Sequence, residues 1–373
     1  MAESTRLVDL VQLSIDDFLA ERSTEFAAIA PELVRFTDVA TSFLSGGKRF
    51  RALFCYWGWQ SASGVADGFD PLPDTAVSSD LPAIVLAASA LEVFHAAALV
   101  HDDIMDRSDT RRGQSSAHKR LEAMHLDEGW TGNPAQFGES AALLLGDLLL
   151  GWSDELFDSG TALLADTAAG RAGRAEFARM RTEVTAGQYL DILEENAWTR
   201  QPEADALPRA HRVIVYKSAK YSVEAPLAIG GALGGASPDQ LAALRAFGLP
   251  LGVAYQLRDD LLGVFGDPDV TGKPAGDDLR EGKRTVLIAL ARQKLSTQAR
   301  TLMDELLGDP ELDTSQVNIM RNTLRECGAV DQVERIIDHN VALAKDAVRD
   351  APLAPSARAQ LLDLADTVTR RVY

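Results

Sequence analysis

Cysteine is nearly absent from this chain of 373 residues, which holds only Cys55 and Cys327. That count and spacing exclude a disulfide framework and a Cys-based zinc site, and a reducing, cytoplasmic setting is the expected one. Positive charge is scarce as well: 37 Lys and Arg stand against 55 Asp and Glu, a formal net charge of −18. Such a balance argues against general nucleic-acid binding and is compatible with divalent-cation ligation. Alternating runs of β-branched residues are lacking, so no strands are expected. The opening residues MAESTRLVDL carry acidic side chains and no early apolar run, so neither a secretory signal nor a transit peptide is expected. No fixed period recurs, which excludes a solenoid.

What the chain has in quantity is the material of helices. Ala, Leu, Glu and Arg dominate, and apolar residues recur at spacings of three and four. Helices are predicted over Thr5–Ala30, Phe50–Ser61, Pro82–Asp106, Ser115–Met124, Glu139–Asp158, Arg174–Glu195, His211–Gly231, Pro238–Val264 and Lys283–Lys294, with two or three more before Tyr373. Turn formers gather at 45–47, 63–80, 127–138, 234–238 and 266–278. Nothing resembles an interdomain linker, so residues 1–373 read as one all-α domain. The stretch Leu81–Val100 is apolar and long enough to span a bilayer. Glu92 and His95 lie inside it, however, and a helix apolar all round also suits the centre of a large helical protein. No transmembrane segment is expected.

Polar residues then concentrate in a few places. In HDDIMDRSDTRRG, Asp102 and Asp106 are four apart, so on a helix their carboxylates share a face. Like charges at that spacing repel, and hard oxygen ligands with room for water suit Mg²⁺ shared with phosphate. Arg111 and Arg112 follow, and guanidinium forks bind phosphate oxygens in pairs. An Arg–Asp surface network is the plainer alternative. His95 lies seven residues before Asp102, on the same helix face.

Downstream, YQLRDD again ends an apolar helix in paired aspartates, Asp259 and Asp260, with Gly263 where a third carboxylate could stand. Lys273 follows in a Gly/Pro-rich loop suited to reaching a phosphate, although a salt-bridged loop explains it equally. Lys48, Arg49 and Arg51 follow the glycines of SGGKRFR, and Lys217 and Ser218 sit in YKSAKY. The aromatic run FCYWGWQ reads as core. Gln188 and Asp191 either face a cavity or cap internal polar groups.

Taken together and in this order, GGKRFR, HDDIMDRSDTRRG, YKSAKY, YQLRDD and GKPAGDDLREGKRT resemble the trans (head-to-tail) isoprenyl diphosphate synthases, the bacterial geranylgeranyl diphosphate synthases most of all. The likeness runs from about residue 45 to residue 285. It implies an isoprenoid-synthase-type helical bundle around a central cavity, usually in a homodimer. It also implies three Mg²⁺ per active site, held by Asp102, Asp106 and Asp259, and an allylic diphosphate (dimethylallyl, geranyl or farnesyl) held by Arg111, Lys217 and Lys273. Lys48, Arg51, His95 and Arg112 match positions that bind isopentenyl diphosphate, while Gln256 and the backbone at Ser218 match those that steady the developing cation. Two departures stand out: Gly263 replaces the last Asp of the second motif, and Ser218 stands where Thr is usual.

Product length follows from the residues before the first motif. Ala97 and Ala98 are too small to block a growing tail, and Phe94 lies about 12 Å along the helix from Asp102. A product longer than farnesyl is therefore expected, with C20 favoured. A longer-chain synthase, a class I terpene cyclase and a non-catalytic partner subunit are the alternative readings.

Overall fold

Helix propensity and three-to-four periodicity decide nearly the whole chain. The computed structural model describes residues 2–63, 80–111, 113–266 and 276–369, and among them the only strands are two residues long. These residues pack as two compact units, Met1–Ala175 with Ile229–Ala236, and Glu176–Ala228 with Ser237–Tyr373. The division falls inside two helices.

In the first unit, α1 (Ala2–Ile29) packs on α2 (Leu33–Leu44), and α3 (Phe50–Ser63) packs on α4 (Leu81–Met105). After a hairpin of β1 (Thr110–Arg111) and β2 (Gln114–Ser115) come α5 (Ala117–Asp127) and α6 (Pro134–Ala162), with α4 lying along α6. Two of these helices are buried on nearly every side. Phe54, Tyr56, Trp57 and Trp59 of α3 are all at most 2% exposed, so the aromatic run is core as expected. Helix α4 is long and apolar enough to cross a membrane, yet 72% of its most apolar window is buried inside the protein. It is the central helix of this unit. The 127–138 loop shrinks to a few residues because α6 begins at Pro134, after the Asn133 side chain has accepted from the Gln136 N–H. That short connection is closed by rings, with His125, Trp130 and Phe137 mutually in contact at centroid separations of 5.2–5.8 Å.

The second unit contains most of α7 (Thr167–Ala197), then α8 (Ala206–Val213), a π-helical segment (Ile214–Glu224) and the start of α9 (Ala225–Leu233). Helices α10 (Pro238–Phe265), α11 (Asp277–Glu281), α12 (Val286–Lys294), α13 (Thr297–Leu306), α14 (Thr314–Glu326), α15 (Ala329–Arg349) and α16 (Pro355–Thr369) complete it. Its core runs from Ala210 through Leu257, Leu261, Val286 and Leu290 to Met320, Val333 and Ile337. The buried positions of α15, Val330, Val333, Ile337, Ala344 and Val348, trace one apolar stripe at helical spacing.

Several expectations are corrected. Four helices follow Lys294, where two or three were expected, and α2 was not foreseen. The predicted helix at Ser115 starts at Ala117, because Gln114 and Ser115 pair with Arg111 and Thr110. A strand of two residues has too little alternation to leave a periodic signal. The predicted helix His211–Gly231 is real but not uniform, since its middle widens to π-helical bonding.

Candidate active site

The first acidic group sits where α4 ends. Four residues apart, Asp102 and Asp106 occupy the last turn, at the negative end of the helix dipole, and each raises the cost of the other. The less buried stripe of α4 runs through His95, Ala98, Leu99, Asp102 and Asp106, so His95 does share the acidic face. Phe94 is 4% exposed and Ala97 fully buried beside that stripe, with Ala98 half-buried on it.

How the helix stops determines what comes next to it. The Arg107 N–H donates to the Ile104 carbonyl at 3.3 Å and the Ser108 N–H to the Asp103 carbonyl at 2.9 Å. These are the two bonds of a Schellman cap, closed here by Arg107 at φ +54° rather than by glycine. The reversal sends the chain into the hairpin, whose turn contains Gly113 at φ +74°. Arg111 thereby returns to the helix end. Its Nε–H donates to Asp103 Oδ1 at 2.8 Å, and its Nη2 lies 3.6 Å from Asp102 Oδ2. Asp103 is fully buried. Of the three aspartates, it is therefore the one that anchors the guanidinium, a role that no spacing rule in the sequence disclosed. Arg112 lies outside the described residues, as do Lys273 and the 64–79 stretch.

Lys48 and Arg51 flank the start of α3 in the same unit. Lys48 is exposed, with its Nζ 5.8 Å from the Phe50 ring centroid, and Arg51 is half-buried.

In the second unit, α10 carries Gln256, Asp259 and Asp260 in its last turns. Asp259 is exposed and Asp260 buried. Gln256 Nε2–H donates to Asp260 Oδ1 at 2.8 Å. Burial pushes the Asp260 carboxyl well above the usual carboxylate range, and the neighbouring Asp278 and Asp259 charges add to this, against the Gln256 hydrogen bond and the Lys283 ammonium. Gly263 has a spatial explanation: a Cβ there would lie 2.0 Å from Asp278 Oδ2. Asp278 thus fills the room that a third carboxylate on α10 would need. Arg258, beside the pair, is committed to Glu334 through two bonds of 2.6 and 2.7 Å.

Lys217 and Ser218 are half-buried in the π-helical segment, a distortion that recurs at functional sites. Lys217 Nζ donates to Asp191 Oδ2 of α7. The two elements touch because residue 187 is glycine. A Cβ there would lie 2.3 Å from the Lys217 nitrogen and 2.4 Å from the Tyr216 carbonyl carbon. Gly187, in the interior of α7, is the mark that this contact leaves in the sequence.

Among the described residues, no three His, Cys, Asp or Glu side chains gather into a self-sufficient metal cage. The Asp102/Asp106 pair instead fits a cation that brings most of its ligands as water and phosphate oxygen, which is the habit of Mg²⁺. Its place at the negative end of a helix favours such a cation further.

The chain resembles known proteins along most of its length. The polyprenyl synthetase family model matches residues 34–324. A geranylgeranyl pyrophosphate synthase from Corynebacterium glutamicum, solved with isoprenyl diphosphate and magnesium, superimposes with a TM-score of 0.89 at 36% identity, covering 98% of this chain and 99% of that one. A geranylgeranyl diphosphate synthase of Mycobacterium tuberculosis is 30% identical over 334 residues, 90% of this chain and 83% of its own. A geranylfarnesyl diphosphate synthase of Aeropyrum pernix is 29% identical over 351 residues, 93% of this chain and 97% of its own. With a family model spanning most of its length and both acidic groups inside the match, the chain belongs to the polyprenyl synthetase family.

Proposed function

We propose that this prenyltransferase joins isopentenyl diphosphate head-to-tail to an allylic diphosphate and releases diphosphate, with geranylgeranyl diphosphate as product. The observation that carries the reading is that a helix ending in paired aspartates beside an anchored cation occurs twice, within one family match over 34–324. That match runs through both compact units, which supports treating 1–373 as one catalytic domain.

In this reading Asp102, Asp106 and Asp259 hold Mg²⁺, three per site, which supplies charge neutralisation to the departing diphosphate. Arg111, Lys217 and Lys273 bind the same diphosphate, stabilising the negative charge that grows as the allylic C–O bond breaks. Asp103 and Asp191 orient Arg111 and Lys217 for that task. Gln256, its amide nitrogen bonded to Asp260, and the backbone at Ser218 steady the developing allylic cation. Lys48, Arg51, His95 and Arg112 hold isopentenyl diphosphate so that its alkene attacks the cation, positioning doing much of the work. Proton loss to the released diphosphate completes the new trans double bond, with no protein nucleophile.

Phe94, eight residues before Asp102, is the bulky stop in this reading, with Ala97 and Ala98 too small to block a growing tail. Two free cysteines support a cytoplasmic setting. Leu143 and Leu144 of α6, 51% and 62% exposed, support a homodimer. The test is mass-spectrometric product analysis with isopentenyl diphosphate, Mg²⁺ and C5, C10 or C15 primers. A C20 diphosphate is expected, and Phe94→Ala should lengthen it. Longer wild-type products would move the floor elsewhere, and no condensation with any primer would favour a non-catalytic partner subunit.

A further inference from the structure

Arg49 stands between Lys48 and Arg51 and looks like a third member of their basic group, yet it is 6% exposed while Lys48 is exposed. Its backbone explains the difference. Gly46 and Gly47 have φ of +67° and +99°, and Arg49 itself has φ +50°, a conformation that L side chains rarely adopt. While Lys48 before it is exposed and Arg51 after it is half-buried, the turn takes the Arg49 side chain inward. There Nη1 donates to Glu92 Oε2 at 3.4 Å, and Nη2 donates to Gln12 Oε1 at 2.5 Å and to the Leu44 carbonyl. Glu92 is 4% exposed and its other oxygen accepts the Ala52 N–H at 3.1 Å, in the first turn of α3.

We infer that Arg49 is a positioning residue for isopentenyl diphosphate: buried against Glu92, it holds the 45–51 turn in its left-handed form and so sets Lys48 and Arg51 before substrate arrives. This rests on the proposed role of Lys48, Arg51 and His95 in holding that substrate. Glu92 lies one helical turn before His95 on α4, so one carboxylate fixes both the turn and the helix that carry these three ligands. A residue held at positive φ without being glycine persists only where its surroundings over-determine it, as the three side-chain polar contacts of Arg49 do here. Arg49 itself does not touch the substrate.

The experiment compares wild type, Arg49→Lys, and the double variant Arg49→Met/Glu92→Gln, in which no buried charge is left without its partner. Thermal unfolding and steady-state kinetics against each substrate are measured. In the double variant, unfolding close to wild type is expected together with at least a tenfold rise in KM for isopentenyl diphosphate, with kcat and the allylic KM within about threefold. A folded double variant with an unchanged KM for isopentenyl diphosphate overturns the inference, and so does an equal rise for both substrates. Absence of condensation by wild type would refute the proposed function instead. Hydrogen exchange over residues 45–51 in the substrate-free proteins tests the latch independently. Slow exchange in wild type that becomes fast in the double variant, or in Arg49→Lys, is expected. Equal exchange in all three refutes it, whatever the kinetics.

Discussion

Replacing Gly187 by alanine should destabilise the protein, although the same change in most helix interiors does the opposite. Alanine is favoured over glycine in a helix by about 0.8–1 kcal/mol. At residue 187 the new methyl would lie 2.3 Å from the Lys217 nitrogen, 2.4 Å from the Tyr216 carbonyl carbon and 2.7 Å from the Lys217 Cα. All three are backbone atoms of the π-helical segment, so no side chain can swing aside, and the overpacking cost falls toward the upper end of about 1–3 kcal/mol. The expected net effect is a loss of about 1–2 kcal/mol. Gly170 is the control on the same helix. Its added methyl would meet Thr161 at 3.5 and 3.6 Å, ordinary contact distances, so Gly170→Ala should gain up to about 1 kcal/mol. The two variants should thus move the melting temperature in opposite directions, at roughly 2–4 °C per kcal/mol for a body of this size. If Gly187→Ala relieves the clash by moving α7 away, Lys217 also loses Asp191, and KM for the allylic diphosphate rises. A Gly187→Ala protein that melts at or above wild type would refute the close-approach account of this contact.

Asp103→Ala should cost about 3–5 kcal/mol by leaving the Arg111 guanidinium without its buried carboxylate, whereas Asp102→Asn should spare stability and raise the Mg²⁺ concentration needed for half-maximal activity; denaturant melts with a metal titration separate the two. Native protein should react with iodoacetamide at Cys327 and not at Cys55, whose thiol is buried and pushed up to about 12 by desolvation, and peptide mass mapping before and after unfolding checks this. His118 is held below the ordinary imidazole range, first by burial and then by the Lys119 charge. Its native state binds fewer protons than the unfolded chain, so stability should fall as pH drops below about 6.5. His118→Gln should flatten that fall in melting curves recorded between pH 7.5 and 5.5, and an unchanged slope would assign the acid sensitivity to other groups.

Much of this molecule is written in local pattern. Three-to-four periodicity located the long helices, because a helix that must bury one face or all faces leaves that record along the chain. Asp102 and Asp106 were legible for the same reason, since a spacing of four means one face wherever the chain is helical. The brief hairpin at 110–115 left no such record, and its formation depends on the cap that Arg107 closes.

The amino-acid sequence by itself determined the fold class, the family resemblance and which residue types carry the chemistry, since these depend on composition, spacing and order. Only tertiary structure decided which charges are held and which are presented. Asp103 and Asp102 are neighbours in sequence, yet one is buried on Arg111 and the other is half-exposed on the acidic stripe. Arg49 turns inward beside the exposed Lys48, and Asp278 fills the space beside Gly263 from a separate helix. The physical reason is that burial and pairing are properties of contacts between distant segments, and a charge's partner is fixed by packing rather than by its neighbours along the chain.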